Sequence, residues 1–331
     1  MNRLKIFAAL ATIFATASFT QGAHAQIVKV DGSSTVFPVT EAVAEDFQKA
    51  KKGAIKVTVG ISGTGGGFKK FCRGETDIQN ASRPILKPEM EDCKKAGIDY
   101  IELPIAFDAL TVVAHPKNAF LNSISVEDLK KIWEPAAQGK ITTWNQIRPE
   151  WPNSPLKLFG PGADSGTFDY FTEAIVGKAK SSRGDFTASE DDNVLVQGVS
   201  NDRNALGYFG FAYYIENQAK LKAVPIETAK GPVGPSAKTV EDGTYQPLAR
   251  PIFIYVSKKS LDSKPEVREF VDFYLKNASK LVKDVKYIAL PPSAYKIAEE
   301  HVSKRKVGTV FGGTAEVGVK IEDLMKREAN F

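Results

Sequence analysis

The chain has 331 residues, 43% of them hydrophobic and 25% charged, with 44 Lys and Arg against 39 Asp and Glu for a formal net charge of +5. So mild a balance, with no Lys/Arg run interleaved with stacking aromatics, gives nucleic-acid binding no support and reads as a solvated surface. Two Cys and three His, widely separated, make no zinc spacing, and nothing calls for another metal or a cofactor.

Arg3 and Lys5, an apolar stretch from Ile6 to Phe19, and Ala23-His24-Ala25 read as an export signal cleaved after residue 25. The apolar stretch is short for a membrane span, no Cys stands at the cleavage point to carry a lipid, and no later segment is long and apolar enough to cross a bilayer. Discounting Arg3 and Lys5 lowers the net charge from +5 to +3. Residues 26–331 suit two domains. In an oxidising compartment Cys72 and Cys93 are expected to form a disulfide, the alternative being two buried thiols.

In chain order, Ile27-Val28-Lys29-Val30 reads as a strand, followed by a helix with Val39, Ala42, Val43 and Phe47 on one face. A strand over 55–60 leads to a short helix around Phe68 and Phe71. Strand 76–80, helix 88–96 and strand 100–103 follow. This alternation predicts an α/β fold with parallel-rich sheets and flanking helices, whose ligands bind beyond the carboxyl ends of the strands. Residues 108–114 and 251–256 read as two long strands joining two domains. Between them come a helix from Val126 to Trp133 capped by Ser125, a helix near 193–200 and strand 206–209. Gly231 to Gly243, rich in Pro, Gly and Ser, reads as a loop. After residue 256 a helix carries Val267, Phe270, Val271, Tyr274, Leu275, Ala278 and Leu281 on one stripe, a core face. The expected domains are 26–110 with 251–331, and an inserted 111–250.

Three strands run into Gly- and hydroxyl-rich turns that open helices: Asp31-Gly32-Ser33-Ser34-Thr35, Ser62-Gly63-Thr64-Gly65-Gly66-Gly67, and Gly162-Ala163-Asp164-Ser165-Gly166-Thr167. Each offers free backbone N–H groups, the positive end of a helix dipole and hydroxyls, which together hold anions. A single such turn is an ordinary cap. Three of them point to a small multivalent oxyanion.

At these turns the chain resembles the phosphate-binding proteins of ABC importers, the PstS family, and most closely its SphX-like branch. Asp77 through Ile85 and the block from Ser182-Arg183-Gly184-Asp185 to Ala188-Ser189-Glu190-Asp191-Asp192-Asn193 extend the likeness over nearly the whole exported part. The resemblance implies a two-domain periplasmic-binding-protein fold with phosphate in the interdomain cleft, an inner-membrane permease as partner, a monomeric periplasmic protein and no catalysis. Carried over residue by residue, it implies Ser34, Thr35 and the N–H of Val36, then Thr64 and Gly65, then Ser165, Gly166 and Thr167, the last three matching the S-G-T motif.

Two departures shift the expected charges. After Ala81-Ser82 the better-known branch has Asp, where this chain has Arg83, and the stretch Gly160-Pro161-Gly162-Ala163-Asp164 before Ser165 lacks the Arg that branch carries shortly before S-G-T. Arg83 is therefore expected to supply the cation, with Arg183 a second candidate. Phosphate carries a proton at neutral pH where sulfate does not, so selectivity needs an acceptor, which hydroxyl donors, amides and Arg cannot be. Asp108 is preferred over Asp164 for that role. Rival readings are a carrier of arsenate, sulfate or molybdate, a phosphate sensor, and an exported phosphatase using Ser165. The last lacks G-x-S-x-G and has only His115 and His301 to offer as a base.

Overall fold

A computed structural model describes residues 26–331, and the expected export signal lies outside them. In chain order the elements of the first lobe are β1 (Gln26–Gly32), α1 (Phe37–Ala50), β2 (Ile55–Val59), α2 (Gly63–Cys72), β3 (Ile78–Ala81), α3 (Lys87–Lys95) and β4 (Tyr100–Ala109). The chain then builds a second lobe from β5 (Thr111–Ala114), α4 (Val126–Trp133), β6 (Lys157–Pro161), α5 (Gly166–Val176), β7 (Thr187–Ser189), α6 (Asp192–Asn201), β8 (Ala205–Phe209), α7 (Phe211–Glu216) and β9 (Lys222–Ala223). A hairpin of β10 (Ile226–Thr228) and β11 (Gly231–Val233) and the short α8 (Ala237–Glu241) lead back. Then come β12 (Ala249–Ser257), α9 (Lys258–Ser263), α10 (Pro265–Asp284), β13 (Ile288–Ala289), α11 (Pro292–Lys304) and α12 (Ile321–Asn330).

The first sheet has six strands in the order β13-β4-β12-β3-β1-β2, and the second has five, β7-β6-β8-β5-β9. In each, three strands are parallel (β3, β1, β2; β7, β6, β8), and the strands near the crossings pair antiparallel. The mixed α/β class with two helix-flanked sheets agrees with the sequence reading. Helix α1 forms because Pro38 presets its first turn and Val39, Val43, Ala44 and Phe47 fall on one buried stripe. That stripe meets α10, where Phe47 lies edge-on to Phe270 at 5.3 Å between ring centres. Phe47→Ala would cost about 3–5 kcal/mol. Gly67 brings α2 onto the sheet: a Cβ there would sit 2.6 Å from the Cα of Gly32. The disulfide Cys72–Cys93 joins the end of α2 to α3.

Two elements differ from the sequence reading. The expected strand 108–114 is two strands: Asp108 is the penultimate residue of β4, and the chain leaves the first sheet at Leu110. A strand cannot keep its ladder in one sheet while entering another, so the backbone turns there, and Leu110 N–H donates to Leu248 C=O at 2.9 Å across the two crossings. The segment Gly231–Gly243 is not all loop, since it holds β11 and the Ser236-capped α8. Beside the crossing, β4 and β12 are fully buried and paired from Ala109↔Ala249 to Tyr100↔Ser257. A register shift between Ile252 and Phe253 accommodates Pro104, which has no N–H to donate.

Candidate anion-binding site

The three donor turns meet where the strand ends of the two sheets face each other. On the first lobe, α1 and α2 both open without a side-chain cap. On the second, Ser165 caps α5 by accepting from Thr167 N–H at 3.1 Å. Thr35 Oγ1 and Thr167 Oγ1 lie 2.9 Å apart across the lobes. Thr64 Oγ1 and Ser82 Oγ lie 3.2 Å apart, and Ser82 N–H donates to Thr64 Oγ1 at 3.1 Å. Gly166 fits between these pairs because it has no side chain: a Cβ there would stand 2.5 Å from Thr64 Oγ1 and 2.7 Å from Ser82 Oγ. Gly65 N–H donates to Asp164 C=O at 2.8 Å, again across the lobes. So Ser34, Thr35, Val36, Thr64, Gly65, Ser82, Ser165, Gly166 and Thr167 all belong to one buried region.

The cation in that region is Arg250, on β12, which the sequence reading did not single out. Its Nη2 donates to Thr167 Oγ1 at 2.7 Å and Thr35 Oγ1 at 3.4 Å, and its Nη1 to Gly166 C=O at 3.2 Å. Asp108 Oδ2 accepts from Arg250 Nη2 at 3.0 Å and from Nε at 3.2 Å. Sheet register sets this pair, since Arg250 stands directly opposite Asp108. The ring of Tyr170 packs 5.4 Å from the guanidinium.

Arg83 and Arg183 do not join the cluster. Arg83 gives Nη1 and Nη2 to the two oxygens of Glu89, each at 2.8 Å, and Nε to Asp169 Oδ2 at 2.8 Å. Arg183 grips Asp185 and donates to the carbonyls of Ile132 and Ile141. Both forks are committed to partners that a small anion would have to displace.

Among the carboxylates, Asp108 is spoken for: beyond Arg250, its Oδ1 accepts from Phe211 N–H at 3.0 Å. Burial pushes its pKa up, against the pull of Arg250 and these hydrogen bonds. Asp164 is half-buried and paired with Lys69 at 2.9 Å. Asp192, at the first turn of α6, is the carboxylate with room. Its Oδ1 accepts from Ser34 Oγ at 3.2 Å, while its buried Oδ2 has no hydrogen-bond partner among the described residues. Burial pushes its pKa up to about 7, only partly offset by the bond from Ser34 and the nearby Gly210 N–H. The sequence reading quoted Asp192 within a motif block but gave it no role. The signal available was its position at a fourth strand-turn-helix, after β7.

Two lobes joined by paired crossings, with hydroxyls from both converging on one buried guanidinium, define a bilobal binding protein for a small oxyanion. The chain belongs to the PBP superfamily, whose domain model matches residues 17–278. It is 54% identical over 312 residues to Protein SphX of Synechocystis sp., covering 94% of this chain and 93% of that one. To the phosphate-binding protein PstS of Staphylococcus saprophyticus it is 40% identical over 271 residues, 81% of this chain and 82% of that one. A solved structure from Clostridium perfringens, described as a substrate-binding protein of a phosphate ABC transporter with phosphate bound, superposes with a TM-score of 0.68 at 25% identity, covering 80% of this chain and all of that one.

Proposed function

We propose that this protein captures inorganic phosphate between its lobes and delivers it to the permease of an ABC importer, without chemical turnover. The single observation that carries this reading is Arg250, buried and shared among hydroxyls of both lobes, within a cluster that also holds a carboxylate with an open oxygen. Hydroxyls, amides and a guanidinium suit any tetrahedral oxyanion. Asp192 Oδ2 supplies what sulfate cannot use, an acceptor for a ligand proton. A fully ionised dianion there would face a second negative charge at low effective dielectric, a penalty of several kcal/mol. Arsenate shares the charge and nearly the shape, so it binds too. The phosphate ligands are Ser34, Thr35, the Val36 N–H, Thr64, Ser82, Ser165, Gly166, Thr167 and Arg250, with Asp108 holding the guanidinium; the expected Gly65 is left out because its N–H is given to Asp164 C=O. A hydrolase is disfavoured because Ser165 Oγ caps α5 and His115 Nδ1 accepts from Lys117 N–H.

Residues 26–110 with 251–331 would move as one body and 111–250 as the other, about the crossings at Leu110 and Leu248. The export-signal pattern supports an exported protein of the periplasm, and a donor cluster complete within one chain supports a monomer. Calorimetric titration of ligand-stripped protein with phosphate, arsenate, sulfate and molybdate tests the reading. Phosphate and arsenate should bind at one site and sulfate far more weakly. Equal affinity for sulfate, or turnover of a chromogenic phosphoester lost in Ser165→Ala, would overturn it. Small-angle scattering should show a smaller radius of gyration with phosphate.

A further inference from the structure

We propose that Arg83 and Asp169 form a clasp engaged only when the lobes close, so that the pair sets phosphate affinity without touching phosphate. Arg83 follows β3 in the first lobe, and Asp169 lies on α5 in the second. Their 2.8 Å contact joins side chains that are each only 1% exposed. The rest of the Arg83 fork is held within its own lobe. Glu89 takes both Nη atoms at 2.8 Å, Pro84 C=O accepts from Nη1 at 3.0 Å, and Glu89 is itself fixed by Leu86 N–H at 2.9 Å. Only Nε reaches across.

Asp169 has the opposite standing. Its Oδ2 depends on Arg83, and its buried Oδ1 has no hydrogen-bond partner among the described residues, with Lys180 Nζ 3.9 Å away. When the lobes part, Arg83 keeps Glu89 and Asp169 loses its main partner to water. The pair therefore contributes free energy to the closed state alone. Asp169 sits one helical turn beyond Ser165, on the same N-terminal stretch of α5 as Gly166 and Thr167, so seating it on Arg83 brings the α5 N-terminus onto Thr35 and Thr64. A ligand that binds only the closed form then binds more tightly in proportion to the closed population. Every anion that needs closure gains equally.

This proposal rests on the phosphate reading, and its test keeps the two apart. The mature chain, Asp169→Asn and Arg83→Lys are each titrated with phosphate and arsenate, and ligand-free melting is recorded. Both variants should bind both anions about 5- to 150-fold more weakly, with the phosphate-to-arsenate ratio unchanged and dissociation faster. Asp169→Asn should melt like wild type without ligand. Unchanged affinity, or a shifted ratio, would overturn the clasp. So would an Asp169→Asn chain that fails to fold, because the open lobes stand without the pair. If wild type ignores phosphate but takes another oxyanion, the phosphate reading alone falls, and the clasp is scored with that anion.

Discussion

Arg83 and Arg250 are both 1% exposed and both bridge the two lobes, yet their surroundings fit them for different work. Arg83 faces two carboxylates, one of them gripping it with both oxygens, so its positive charge is more than matched by protein. Arg250 faces one carboxylate and otherwise donates to two hydroxyls and a carbonyl, neutral groups that can turn toward a ligand. A buried guanidinium surrounded by acids holds structure together. One surrounded by hydroxyls leaves charge for an incoming anion. Counting carboxylates around a buried arginine separates the two roles where burial and sequence context do not.

The contrast can be broken most severely at Arg83 itself. Arg83→Ala leaves Glu89 uncompensated within its own lobe, and should lower folding stability of the ligand-free protein by about 3–5 kcal/mol in denaturant titration. Arg250→Ala should instead cost about 2–5 kcal/mol of phosphate affinity by calorimetry, with the smaller effect on ligand-free stability. A reversal of these two outcomes would invert the assignment. Gly166→Ala tests the contact zone between them. Its new methyl would press on Thr64 and Ser82, so affinity should drop by about 1–3 kcal/mol while the ligand-free protein melts normally.

The smallest effect concerns the acid near Arg250. Asp192 has its pKa raised from 3.8 to about 7 in the folded protein, so the native state holds its proton more tightly than the unfolded chain does. The cost of ionising it is absent below the unfolded value and complete above the folded one. Ligand-free wild type should therefore lose stability through this group as pH rises from about 4 through 7. Asp192→Asn should lose less over that window, leaving a residual slope from Glu102 and Glu328, whose pKa values are raised to about 7 and about 8. Identical pH slopes in melting temperature for both proteins would remove Asp192 from the account.

The fold was legible because its signals are local. Strand-to-helix alternation and the stripe of α10 each sit within one stretch of chain, and so do the three donor turns. The charges were not local. Arg250 meets Asp108, Thr167 and Thr35 at separations of 142, 83 and 215 residues. Nothing near Ala249-Arg250-Pro251 hints at them until sheet register is known. Arg83 shows the same: Glu89 is six residues on and Asp169 eighty-six, so the ion pairs that hold it cannot be read from Ala81-Ser82-Arg83. Asp192 lay in plain view at a strand-turn-helix junction. What the sequence lacked was the fact that Asp108's oxygens were already taken.

The pairing of Asp108 with Arg250 puts the chief charge of the proposed site on the two strands that cross between lobes, each two residues from a turning point, Leu110 or Leu248. In a swinging door the axle moves least. An anion entering an open cleft would find this arginine already in its final place, backed by its carboxylate, and would land there before either lip had travelled. The hydroxyls of α5 would arrive later, carried in by the rotation. Arrival would then be governed by diffusion to a fixed charge, and departure by the time the door takes to reopen.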